Sequence, residues 1–318
     1  MSTITWPWLP IELIDAIISE AWSSSLSAHD RSALIASSSL VNRSWAAAFH
    51  KISLEDVHIS NTLYAQHYLS IIHYESPIYT ERSQTLPDLL CRSLSFTLDT
   101  HGSAAGQHPM FIVPFGEKDR LGTMLSNTLY AIDTLSYLPN LRRVSIEYAN
   151  WGCSDIFDNF RLSSFPAQVT KLEINFTATS GIIGVPMQYH RHTERVPWSL
   201  PFITHLTIGG ACAEFITDMA ATCPNLETLE IENTTRLAVL GSLPCNIHTL
   251  VLGRPRNTAR RGFIKALVGA LMAGLLLTSP SGKPRIILEW GEIGKSTWMW
   301  LEEIARGCGI QLVHKLCR

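Results

Sequence analysis

The chain has 318 residues, 46% of them hydrophobic and 16% charged, with a formal net charge of −2. That composition describes a globular protein with a sizeable core, excludes disorder, and offers no basic footprint for nucleic acid. Seven cysteines without a Cys-x-x-Cys pair argue against a disulfide framework or a structural zinc site, and each is expected to be a small core residue.

Taken in chain order, the first 55 residues read as three helices. Pro10 suits the first helical position, and Glu12 favours the positive end of the helix dipole. Leu13, Ile14, Ile17, Ile18, Ala21 and Trp22 then form one broad apolar face at the helical period. Ser23 to Ala28 is a polar break, after which Asp30 is the expected N-cap of a second helix bearing Leu34 and Ile35. Val41, Trp45, Ala48, Phe49 and Ile52 are spaced as the stripe of a third. Three helices in so few residues make a marginal core. Their apolar stripes therefore either pack on the rest of the chain or dock on another protein.

The order Leu9-Pro10-x-Glu12-Leu13, an Ile-rich first helix, and a later Val41-x-x-x-Trp45 resemble the F-box, the three-helix adaptor-binding module of Skp–cullin–F-box ubiquitin ligases. The resemblance covers residues 6 to 52 and implies that Leu9, Pro10, Leu13, Ile14 and Ile17 face the adaptor. Val41 and Trp45 would add to that surface or support it. Asn42 stands where many members have Cys or Ser, and the linker between the first two helices is longer than in compact examples.

Beyond residue 55 a short phrase recurs: apolar-x-x-apolar-x-apolar, often just after a proline. It appears as Cys91–Phe96, Leu141–Ile146, Val169–Ile174, Ile203–Ile208, Leu226–Ile231 and Ile247–Leu252. Alternation at its last two apolar positions is the period of a strand with one buried face. The middle residues 94, 144, 172, 206, 229 and 250 are separated by 50, 28, 34, 23 and 21 residues. The shorter intervals lie in or near the leucine-rich-repeat range. Helical stripes fit between the phrases: Met124, Leu125, Leu129, Ile132, Leu135 and Leu138 in one, Phe215, Ile216, Met219 and Ala220 in another. The apolar run Ala266 to Leu277 is too short to span a bilayer and reads as a buried helix. A strand at Arg285–Trp290, a helix at Thr297–Ala305 and a strand at Ile310–Val313 form a closing βαβ unit. A strand–helix series of this kind resembles a degenerate leucine-rich-repeat solenoid, the alternative being an ordinary α/β sandwich with coincidental phrases.

Candidate chemistry is sparse. Gly291-Glu-Ile-Gly294-Lys295-Ser296-Thr297 lies between strand and helix, where a phosphate-binding loop would. The glycine required ahead of Gly294-Lys295-Ser296, with four residues between, is missing: at that position stands Glu289, with a negative charge. Capping by Ser296 or Thr297 is the simpler account. His190 and His192 lack further clustered ligands and read as loop residues, as does the basic run Arg254–Arg261. No nucleophile elbow or His-Glu-x-x-His occurs. Trp151, Tyr189 and Trp198 lie in or beside loops and are candidate aromatic anchors for a partner.

The expected architecture is α/β: an F-box-like adaptor-binding module over residues 1–55, then a leucine-rich-repeat-like recognition domain over 56–318. The closest resemblance is to F-box proteins of the type numerous in fungi. It implies a non-enzymatic, intracellular subunit, cytoplasmic or nuclear. Such a subunit would bridge the Skp adaptor of a cullin ligase and a target protein, with no cofactor, metal, membrane or nucleic acid. A scaffold acting outside ubiquitin ligation and a nucleotide-binding enzyme using Lys295 are the alternatives.

Overall fold

A computed structural model describes residues 9–24, 26–73, 89–99, 115–153, 162, 164–177, 199–232, 246–253, 260–273, 284–290 and 293–316. Helices α1 (Ile11–Ser23), α2 (Ala28–Val41) and α3 (Arg43–Glu55) come first. Pro10 sits one residue earlier than expected, as the N-cap of α1, and its carbonyl accepts from Leu13 and Ile14. The cap of α2 is Ser27, not Asp30. Its hydroxyl accepts from the Asp30 amide at 3.1 Å and donates to the Asp30 carboxylate at 2.7 Å, so the acidic residue answers the cap three positions on. Asn42 caps α3 by accepting from the Trp45 amide at 2.8 Å. Its extended backbone breaks α2 from α3, so Val41 ends α2 and is not on the stripe of α3.

Strand β1 (Asp56–Ile59) follows directly, then α4 (Thr62–Ile72), β2 (Ser93–Asp99), α5 (Phe115–Thr134), β3 (Arg143–Ala149), β4 (Lys171–Thr177) and β5 (His205–Gly209). The chain continues through α6 (Ala213–Thr222), β6 (Thr228–Glu232), β7 (Thr249–Gly253), α7 (Arg260–Met272), β8 (Arg285–Trp290), α8 (Lys295–Gly307) and β9 (Gln311–Leu316). The described residues thus form a mixed α/β fold of eight helices and one nine-stranded sheet. Every strand pairs in parallel with the next in the chain. Parallel neighbours cannot be joined by a hairpin, so each connection must cross back over one face. Helices α4, α5, α6, α7 and α8 each lie in one of these connections.

The repeated phrase sets the register. Its middle residues stand side by side as a row, Val57, Leu94, Val144, Leu172, Leu206, Leu229, Leu250, Ile286 and Leu312. The row from Ile59 and Phe96 through Ile231 to Leu288 lies two residues on. Both rows are buried in one continuous core with the inner faces of α4 to α8. A one-residue slip of any strand would turn this entire set toward water, which is why the register is firmly specified. The series opens earlier than expected: Leu54-x-x-Val57-x-Ile59 carries the phrase ahead of Cys91, with Leu54 still in α3 and no proline before it.

An asparagine ladder, not anticipated from the apolar pattern, ties neighbouring turns together. Asn140 donates to the Leu89 carbonyl (3.0 Å), Asn225 to Pro201 (2.8 Å) and Asn246 to Pro224 (2.6 Å). Gln168 does the same to Tyr137 at 2.8 Å. Each amide sits one residue before the first apolar position of its phrase and bonds the turn of the preceding strand. Carbonyls that the parallel ladder leaves free are thereby satisfied.

Candidate docking surfaces

Ile14, Ile18 and Trp22 recur every four residues along α1 and point inward, closing a small core of their own with Ala48 and Phe49 of α3. Leu34, Ile35, Trp45 and Ile52 pack on its margin. This cluster is separate from the core of the sheet. Trp22 joins the two. Its indole N–H donates to the Asp56 carbonyl of β1 at 2.8 Å, and its ring meets Phe49 and His58 edge-on at 5.3 Å. The Arg31 guanidinium lies 4.8 Å from the ring centroid and donates to the Trp22 carbonyl at 2.7 Å.

The broad apolar face expected on α1 is therefore two stripes. Ile14, assigned to a docking surface by resemblance, is 7% exposed and belongs to the inner one, because it shares the i, i+4 row of Ile18 and Trp22. Leu13 and Ile17 lie beside that row and face outward, 50% and 47% exposed, with Leu9 and Ile11 also about half exposed before them. Pro10 is exposed as well. Leu40 and Val41 protrude at the end of α2, a different helix. Trp45 is half-buried against the inner cluster, with its indole nitrogen buried and without a hydrogen-bond partner among the described residues. It supports the helices from within and lies off the outward stripe.

The second surface is the sheet face turned away from the helices. One position ahead of the first buried row, the strands present Asp56, Ser93, Arg143, Lys171, His205, Thr228, Thr249, Arg285 and Gln311 in register. Arg143 donates to Glu173 at 2.6 Å, and Lys171 reaches the other oxygen of the same carboxylate at 2.8 Å. Burial alone would push Glu173 up, but these two cations outweigh it and hold the carboxyl below its ordinary range. At Glu230 the balance runs the other way. Burial, followed by repulsion from Glu289, raises it against a hydrogen bond from Thr207. Glu147, Asn175, Thr177, Gly209, Gly210 and Glu232 border a shallow depression of about 210 Å³ on this side of the sheet.

Glu173→Gln removes the charge that two cations share. It is expected to cost about 1–2 kcal/mol at pH 7, less than a fully buried pair because Arg143 and Lys171 remain partly in water. A depressed carboxyl contributes stability above its unfolded value of 4.5 and loses it as pH falls through the folded value. The gap between wild type and variant should therefore close in urea titrations at pH 3, and a gap unchanged from pH 7 would show that the ion pairs contribute nothing.

Of the aromatic anchors expected in loops, Trp151 is 4% exposed and packs edge-on against Tyr148 at 5.3 Å. After β3 the chain turns through Asn150 in a left-handed conformation (φ 65°), which folds Trp151 back into the core and away from any partner. Tyr189, Trp198, His190 and His192 lie outside the described residues. The Gly294-Lys295-Ser296 segment does open a helix after a strand, but Gly294 is the cap and neither Ser296 nor Thr297 serves as one. Glu289 pairs with Lys315 of β9. Among the described residues no group of three or more His, Cys, Asp or Glu could hold a metal ion. No described helix is long and apolar enough to cross a membrane. Compared with known proteins, the chain matches no family model and no curated protein.

Proposed function

We propose that the N-terminal helices dock on the Skp adaptor of a cullin ubiquitin ligase and that the strand–helix body from Asp56 onward holds a target protein for it. The observation that carries this reading is the outward stripe of α1. These helices already possess a core, yet Leu9, Ile11, Leu13 and Ile17 remain half exposed beside it. Apolar residues gathered outside a satisfied core mark an interaction surface more than a packing defect. The rest of the chain supports the second half of the reading. Strands paired strictly in chain order, phrases in register and amides linking four of the turns to the turn before support a leucine-rich-repeat-like solenoid. The regular polar face of its sheet is a rigid platform for a target. The chain's contribution to ubiquitin transfer is proximity; it supplies no catalytic group.

Co-expression of the full chain with a Skp adaptor, followed by size-exclusion chromatography, tests the docking half. The wild type should co-elute as a stable complex. Leu13→Asp combined with Ile17→Asp weakens it by about 100-fold or more, the loss expected of two hot-spot side chains. Both side chains lie outside the helical core, so the variant keeps the circular dichroism of the wild type. A folded wild type that elutes alone, or a variant that binds equally well, would sink the assignment. Recovery of a cullin in the complex distinguishes a ligase subunit from a scaffold that binds the adaptor for another purpose.

A further inference from the structure

Charges on the sheet face turned away from the helices are sorted along the strands. Arg143, Lys171 and Arg285 stand at strand starts, whereas Glu147, Glu232 and Glu289 stand at strand ends. Two carboxylates on this face are answered by cations within the chain: Glu173 holds Arg143 and Lys171, and Glu289 pairs with Lys315. Glu147 and Glu232 are not. Among the described residues neither has a cation partner, and Glu147 accepts only from the Thr177 hydroxyl at 3.3 Å.

Glu147, Asn175, Gly209 and Glu232 form one row across β3, β4, β5 and β6. The outer two backbones are therefore about 14 Å apart, three strand spacings. Gly209 leaves the middle of the row open. A Cβ there would collide with Asn175 Oδ1 and would lie 3.5 Å from Glu232 Oε2. Acceptors from two neighbouring strands thus converge on the space that the glycine leaves, which is the depression of about 210 Å³ described above.

We propose that this end of the sheet face docks an arginine-bearing segment of the target protein, with the guanidinium seated over Gly209 between Glu147 and Glu232. The proposal rests on the reading of the sheet face as the target platform and names what that platform selects. Charge complementarity chooses the occupant. An anion would meet two carboxylates that no cation screens, and an apolar side chain would take water from Asn175 and Glu232 and give no donor in return. A guanidinium carries five N–H donors in one plane and reaches acceptors set around a shallow bowl, whereas an ammonium is a point charge. One row further in, Glu230 is raised by burial and then by repulsion from Glu289, with Glu232 adding to it, so negative charge at this end of the sheet is left uncompensated. A bound arginine would supply the compensation that Arg143 and Lys171 give Glu173.

The test is a titration of the full chain with Nα-acetyl-arginine methylamide, read from the backbone amide resonances of Gly209 and Gly210. The citrulline counterpart, equal in shape but uncharged, and the lysine counterpart are the controls. The arginine probe should shift both glycine resonances saturably, and citrulline should leave them in place. Glu232 is exposed, so Glu232→Gln keeps the fold; it should weaken the arginine probe by about fivefold, the loss expected of one partly solvated charge pair. The Leu13→Asp, Ile17→Asp variant should bind the probe as the wild type does. Unmoved glycine resonances, an equal response to citrulline or lysine, or unchanged binding by Glu232→Gln would each overturn the proposal. A wild type that co-elutes with the adaptor yet ignores the arginine probe overturns this inference alone, and one that binds the probe but elutes without the adaptor supports it while removing the ligase reading.

Discussion

Trp22→Ala is expected to lower the free energy of unfolding by about 4 kcal/mol, in the range measured when a buried aromatic is truncated without collapse of the site. The side chain is 2% exposed and central to the small helical core. Its removal also takes the indole donor from the Asp56 carbonyl and the ring from beneath the Arg31 guanidinium, which keeps its bonds to the Trp22 and Ser24 main-chain carbonyls. Because Trp22 links two separate cores, the damage should be uneven. Hydrogen exchange should accelerate across α1 to α3 well before the central strands, where Leu172, Leu206 and Leu229 are fully or almost fully enclosed. Urea unfolding followed by circular dichroism measures the total. A cost below about 1 kcal/mol would mean that the helices are held by something other than this cluster.

Gly210→Ala is the second large effect, expected at about 3 kcal/mol. Gly210 closes β5 at φ 70°, a region that side chains rarely adopt. A Cβ there would stand 2.2 Å from the Phe176 carbonyl oxygen, a backbone atom of β4 that cannot rotate away. Gly269 on α7 is the control. It has nothing within 4 Å of the added atom, so Gly269→Ala should stabilise the chain by up to about 1 kcal/mol through helix propensity alone. Thermal melts of the two variants should therefore move in opposite directions. If Gly210→Ala melts with the wild type, the turn after β5 does not constrain the sheet as described.

The strands were legible because their signal is local and redundant. Leu141-x-x-Val144-x-Ile146 and its counterparts repeat one pattern, and a buried parallel sheet demands the same residue type at the same register position in each strand. Leu54-x-x-Val57-x-Ile59 does not read as a strand phrase in the sequence because its first residue ends a helix. The asparagine ladder escaped because Asn140, Asn225 and Asn246 look like ordinary turn residues until the carbonyl of the preceding turn is placed beside them.

The candidate surfaces were less legible, for a physical reason. Helical spacing locates an apolar residue on a helix but does not say which of two adjacent stripes meets the neighbouring helix. Leu13 and Ile14 are neighbours in sequence, yet one is half exposed and the other buried, decided by where α3 lies against α1. Trp151 reads as a loop residue and is a core residue, because the left-handed turn at Asn150 reverses the chain beneath the sheet. The sequence by itself determined the strand phrases, their inward faces and the helical N-terminus, since these follow from periodicity within a few residues. Only the tertiary structure decided which apolar stripe stays outside and which aromatics are enclosed, since those depend on contacts between segments far apart in the chain.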